Sequence, residues 1–171
     1  MEEREMLEIL NTRRSVRAFK DDPVSDGDIR DILEAAMNAP SAGDERAWQF
    51  IVLKDRGLRE EYAKLNRNVP SIRQSPAAIV VCGDTHAEKY PGLSLYDCGA
   101  ATENILLAIH TKGLGGFWGH VFPETVESNR KLLGLPAHIV PYSVVPFGVP
   151  LNGIPAAKTR YDESRVHHDG W

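Results

Sequence analysis

Ser94-Leu95-Tyr96-Asp97-Cys98-Gly99-Ala100-Ala101-Thr102-Glu103-Asn104-Ile105-Leu106-Leu107-Ala108-Ile109-His110-Thr111-Lys112 is apolar on more than one face. Its richest stripe, Leu95, Cys98, Ala101, Thr102, Ile105, Leu106 and Ile109, keeps helical spacing. A helix so rich in small and apolar residues is buried on several sides, and Gly113 supplies its left-handed stop. The stretch is therefore expected to form the central helix. Gly99 and Ala100 would let another helix approach closely, from the same or a second chain.

Moving upstream, Ala77-Ala78-Ile79-Val80-Val81-Cys82 is a continuous apolar run that predicts a fully buried strand. Trp48 to Leu53 is aromatic and β-branched, a second strand, after which Asp55 caps a helix carrying Leu58, Tyr62 and Leu65. Ser25 and Asp28 open a helix with Ile29, Ile32, Leu33, Ala36 and Met37 on one face, ended by Pro40. Residues 2–12 form a short amphipathic helix. Downstream, Pro123 begins a helix that stops at Gly134, and Tyr142 to Gly148 is the last strand, with Pro146 arguing for an edge position or a bulge. Helices and strands mix without strict alternation, which predicts an α+β fold in a single domain over residues 1–171.

Composition narrows the function classes. The 171 residues carry 42% hydrophobic content and a net charge of −4, normal for a globular chain and without the basic face that nucleic acid requires. No apolar run is long enough to span a membrane, and the acidic start Met1-Glu2-Glu3 is unlike a secretory signal, so a cytoplasmic location is expected. Cys82 and Cys98 lie inside apolar stretches and read as buried reduced thiols. The six histidines show none of the paired spacing with carboxylate or cysteine that zinc requires, so no metal is expected. Gly113 to Gly119 is glycine-rich but follows a helix and has Trp118 where a dinucleotide fingerprint needs glycine. No serine sits in a nucleophile elbow.

Against this background, Arg13-Arg14-Ser15-Val16-Arg17 gathers three permanent cations and a hydroxyl on an acidic protein. Arginine forks match phosphate oxygens, so the stretch reads either as an anion site or as a solvated basic turn. A second cationic cluster, Lys158-Thr159-Arg160, stands in an otherwise featureless polar tail, and Pro40-Ser41-Ala42-Gly43 forms a small-residue loop between them. Spacing alone does not show that these converge.

Taken in order, these motifs resemble the FMN-dependent nitroreductases. The resemblance runs through Arg13 to Phe19, Ala39 to Gly43 with Trp48-Gln49-Phe50, Asp97 to Trp118, Leu133 to Pro136, Phe147 to Pro150 and Lys158 to Arg160. It implies a three-layer α+β fold, a mostly antiparallel sheet flanked by helices. It further implies a homodimer whose C-terminal tail extends over the partner. By the same resemblance, Arg13, Arg14 and Ser15 bind the FMN phosphate, with Lys158 and Arg160 closing that site, and Arg17 reaches toward the flavin ring and ribityl chain. Pro40, Ser41, Ala42 and Gly43 line the flavin from the other subunit, Asn68 contacts the ring, and the Trp118-Gly119-His120 backbone lies along its edge. The implied activity is a ping-pong cycle in which hydride from NADH or NADPH passes through flavin N5 to nitroaromatic, quinone or related acceptors.

Two departures stand out. Asp44, Arg46 and Ala47 occupy places where the family commonly has Asn, Gln and Pro, so Ala47 would free its backbone and Arg46 would add charge. At this length the chain also lacks room for a covering insertion, and a more open pocket is expected. Rival readings keep the flavin but assign one dedicated metabolite, or make the protein a non-catalytic store or sensor of FMN.

Overall fold

Ser25 and Asp55 fix where two helices begin. In the computed structural model, which describes residues 3–171 and side chains from Leu7 onward, Ser25 Oγ accepts from the Asp28 N–H at 3.0 Å, and Asp55 Oδ1 accepts from the Leu58 N–H at 2.7 Å. Each satisfies a donor that the first helical turn leaves unpaired. The helices are α1 (Glu3–Thr12), α2 (Asp26–Met37), α3 (Arg56–Leu65), α4 (Ser94–Thr111) and α5 (Val126–Leu133). Gly113 and Gly134 stand past the ends of α4 and α5 with φ of +69° and +65°, the left-handed stops expected of them. No helix is long and apolar enough to cross a membrane among the described residues.

The strands β1 (Trp48–Leu53), β2 (Ala77–Asp84), β3 (Gly115–Gly116), β4 (Gly119–His120) and β5 (Ile139–Gly148) form one antiparallel sheet. Its order is β1-β2-β5-β3, with β4 also paired to β5. Side-chain alternation along β2 divides two cores: Ala77, Ile79 and Val81 pack with α2 and α4, while Ala78, Val80 and Cys82 face Tyr62 and Ala63 of α3 on the other side. A strand covered on both faces must be apolar at every position, which is why this run shows no polar alternation. The result is helix, sheet, helix: three layers.

Two expectations need correcting. Pro146 does not mark an edge, because β5 is interior, with β2 on one side and β3 and β4 on the other. Its missing N–H is tolerated where β3 pairs only with Phe147 and Gly148 and β4 only with Ser143 and Val144, leaving a gap between them. The bulge lies elsewhere in β5. Val81 pairs with Ser143 but Cys82 with Pro141, so Tyr142 is the extra residue and the two halves of β5 point opposite parities into the cores. Leu95 was counted on the buried stripe of α4; it is exposed, as is Tyr96, while the remaining stripe residues are buried.

Both thiols are free and buried, and burial raises their pKa, that of Cys82 to about 12. They are inert packing residues, as their apolar neighbourhoods indicated.

Candidate functional site

Where α1 ends, its last carbonyls and a histidine from α4 organise the cationic stretch. Thr12 Oγ1 donates to Glu8 O, so at 2.8 Å from His110 Nε2 it accepts that ring's proton. Burial, then the Arg13 and Arg14 charges, lower the His110 pKa and keep the ring neutral at pH 7. Arg13 lies 3.4 Å from Glu103 of α4. Arg14 Nη1 donates to Asn11 O at 2.9 Å and to Arg13 O, while Nη2 donates to Lys158 O at 3.1 Å.

That last contact is made possible by backbone stitching. Ser15 bridges Gly116 in parallel, Val16 N donates to Gly116 O at 3.0 Å, and Lys20 N donates to Val149 O at 2.9 Å. Leu151 N then donates to Ala18 O, so the tail starts beside the arginine stretch. Gly115 is required here, since a Cβ on it would lie 2.6 Å from Val16 Cβ. The outcome is a cleft of about 520 Å³ lined by residues including Arg13, Arg14, Lys158 and Arg160. The two clusters from opposite ends of the chain therefore meet. Among the described residues, the Ser15 hydroxyl, Lys158 ammonium and Arg160 guanidinium have no hydrogen-bonding or ionic partner within the chain.

From this cleft the site continues along β5. The Arg17 guanidinium stands 4.8 Å from the centre of the Phe117 ring, a cation–π contact that fixes its stem. Trp118 follows, half exposed, with its ring beside Gly99. Asn68 Nδ2 donates to His120 O at 2.8 Å, so Asn68 belongs to this edge.

The Pro40 to Gly43 loop lies apart. Ala42 N donates to Asp97 Oδ1 at 3.0 Å, near the N-terminus of α4, whereas Thr12 reaches His110 near its C-terminus. The thirteen residue steps from Asp97 to His110 along α4 span about 20 Å. Gly43, Asp44 and Arg46 all have φ near +50°. Arg46 Nε and Nη2 bond the two oxygens of Asp44 at 2.7 and 2.9 Å, and Ser41 Oγ accepts from Arg46 N. One departure from the family pattern is locally compensated, and the other is anchored through its carbonyl, which a proline would also offer. Arg46 has its charge matched by Asp44, and the Ala47 carbonyl is taken by Asp84 N.

Sequence reasoning missed what supports this loop. Glu45 and Asp97 are both buried, and Glu45 Oε2 accepts from Lys89 N at 2.8 Å and Tyr90 N at 3.2 Å. Lys89 Nζ donates to Gly43 O at 2.8 Å. One acid among 24 carries no sequence mark of burial, although Glu45 stood in a small-residue loop directly before a strand.

Comparison with known proteins settles the family. The nitroreductase family model matches residues 10–74 and 63–149. The chain belongs to the nitroreductase family. A relative from Methanothermobacter thermautotrophicus, provisionally named NADH dehydrogenase/NAD(P)H nitroreductase, is 41% identical over 98% of this chain and 88% of its own length. A crystal structure under the same provisional name from Parabacteroides distasonis has a TM-score of 0.92 at 38% identity, covering 98% of this chain and 99% of that one. An FMN-dependent nitroreductase from Clostridium difficile has a TM-score of 0.89 at 25% identity, covering 97% and 100%. As a nitroreductase-family chain, this protein has the three-layer fold that the motif order implied. Its arginine stretch and Asn68 are both tied to the Gly116–His120 segment at the β3/β4 edge of the sheet, and its Pro40–Gly43 loop is held instead at the N-terminus of α4.

Proposed function

We propose that residues 1–171 form one FMN-binding oxidoreductase unit that takes electrons from NADH or NADPH and passes them to nitroaromatic, quinone or related acceptors in a ping-pong cycle. The observation that carries this reading is the junction of Arg13 and Arg14 with Lys158 and Arg160 around one cleft, with the exposed Ser15 next in the chain. Cationic forks and an unpaired hydroxyl are the donor set a phosphate monoester takes, so the residues present fit FMN. Bound there, FMN would supply the hydride chemistry that no side chain here can perform.

The chain's own residues hold and tune. Arg13 and Arg14 grip the phosphate end, with the Arg13 side chain steadied by Glu103 and Arg14 by carbonyls. Arg17, laid over Phe117, directs a cation along the path from phosphate to ring and favours negative charge there. Gly116 to His120 offers backbone groups along the ring edge, and Asn68 holds that segment in place.

The reading requires two copies of the chain. Within one chain the Pro40–Gly43 loop is about 20 Å along α4 from the arginine cleft, so the loop would serve the partner's flavin. Leu95 and Tyr96 stand exposed on α4, and the tail is exposed throughout except at Ile154, with Tyr161 and Trp171 in water. A homodimer in which the tail lies over the partner would cover these surfaces.

The test is a visible spectrum of the purified protein, followed by anaerobic NADH or NADPH, with the oligomeric state measured by light scattering. Yellow protein that bleaches and runs as a dimer supports the proposal. Colourless protein that takes up no FMN overturns it, and bound flavin that neither nicotinamide reduces moves the function to FMN storage or sensing.

A further inference from the structure

At the opposite end of the sheet from the arginine cleft, the fold assembles a group of side chains that spacing did not reveal. Asp84 ends β2, His86 follows two residues later in the turn, and His138 immediately precedes β5. One ligand atom from each lies within 4.8 Å of the other two. The two imidazoles stack with centroids 4.2 Å apart and planes at 6°. We propose that Asp84, His86 and His138 form a binding site for a divalent ion of the zinc class.

The backbone under the three residues is built to hold them. Thr85 donates twice to the His138 carbonyl, from N at 2.9 Å and from Oγ1 at 3.1 Å. Asp84 pairs with Ile139 in the β2–β5 ladder, and its Oδ1 accepts from His86 N at 2.9 Å. Asp84 Oδ2 and the ring nitrogens of both histidines have no hydrogen-bonding partner within the chain among the described residues. Three ligands therefore stand on fixed backbone with free lone pairs. Small rotations about the side-chain torsions turn the stacked rings toward a common point.

Ligand chemistry selects the ion. Two imidazoles and one carboxylate suit Zn²⁺ and its late first-row neighbours, whereas Mg²⁺ and Ca²⁺ prefer all-oxygen sets. His86 is exposed, so the ion has an entry path and water completes its coordination. The site is remote from the phosphate-type cleft, since β2 carries it some 24 Å from the Ala77 end where the arginine stretch docks. Its role is mechanical. The turn it would clip to β5 leads into Lys89 and Tyr90, which brace Glu45 and Gly43 of the flavin-side loop. An ion that binds only the folded state also stabilises it by mass action.

His167 and His168 in the exposed tail are a competing source of zinc binding, so the test is run in a His167→Ala/His168→Ala background. Zinc chloride is titrated calorimetrically into the purified protein, then into the same background with His86→Ala or His138→Ala added. The expected result is one zinc per chain in the background, weakened about tenfold or more by either added substitution, with magnesium chloride giving no comparable binding. Absence of zinc binding in the background, or binding unchanged by His86→Ala, overturns the site. Because His86 is exposed, that variant keeps the test decisive even if His138→Ala disturbs folding.

Discussion

Glu45 and Asp97 are both buried beneath the 40–46 loop, where the Glu45 carboxyl opposes ionisation of Asp97, and each keeps one buried oxygen, Glu45 Oε1 and Asp97 Oδ2, without a hydrogen-bonding partner. Asp97 therefore ionises at a cost. Burial first, then the Glu45 carboxyl, raises the Asp97 pKa, while the Ala42 N–H opposes that rise.

A raised acid pKa has a definite sign in stability. In the window between the ordinary carboxylate value and the raised native value, the folded protein binds more protons than the unfolded chain, so stability falls as pH rises. Asp97→Asn keeps an oxygen for Ala42 N and supplies a donor for Glu45. Its melting temperature relative to wild type should increase with pH across that window and level off above it. A difference that stays flat with pH removes Asp97 as the titrating group.

Arg13→Ala should weaken FMN retention. Loss of a charge-assisted contact worth about 1.5–3 kcal/mol corresponds to roughly tenfold or more in affinity. Fluorescence of flavin released on dilution measures it, and a variant that stays fully loaded would remove Arg13 from the phosphate site.

Arg17→Ala should leave FMN bound more firmly than Arg13→Ala does but lower the flavin reduction potential, by removing a cation favouring the reduced anion. Spectroscopic titration against a redox dye reads this directly. An unchanged potential would confine Arg17 to packing on Phe117.

Asn129→Ala should destabilise the fold by about 1–3 kcal/mol, the cost of leaving buried polar groups unpaired. Asn66 Nδ2 donates to Asn129 Oδ1 at 2.9 Å and Asn129 Nδ2 returns a bond to Asn66 Oδ1 at 3.1 Å, joining the end of α3 to α5. Denaturant unfolding is the measurement, with FMN affinity of the folded protein expected to hold.

Gly119→Ala should cost about 1–3 kcal/mol by overpacking, because the new Cβ would lie 2.1 Å from Val69 Cγ1 and 3.0 Å from Val144 Cγ1. Adding Val69→Ala should recover part of the loss in thermal unfolding. No recovery would mean that Val144 of β5, not Val69, sets the limit.

Local signals were legible because local physics fixes them. The caps at Ser25 and Asp55, the stops at Gly113 and Gly134, and the apolar run of β2 each depend on neighbours within a few residues. Pro146 was misread because its tolerance depends on a gap between β3 and β4, which are distant in the chain. Leu95 was placed inside because helical spacing gives an angle about an axis but not how far along the helix its neighbours extend. The phosphate-type cleft was legible in part: composition marked Arg13 to Arg17 and Lys158 to Arg160, and motif order linked them.

The sequence by itself determined the elements, their ends, the two-sided burial of β2 and the residue types able to grip a phosphate. Those follow from side-chain chemistry and short-range geometry. Only the tertiary structure decided which distant residues meet: Arg14 on Lys158 O, Asn68 on His120 O, Glu45 beside Asp97, and His86 stacked on His138. Such meetings arise from strand pairing and helix packing across long loops, whose register no run of neighbouring residues encodes.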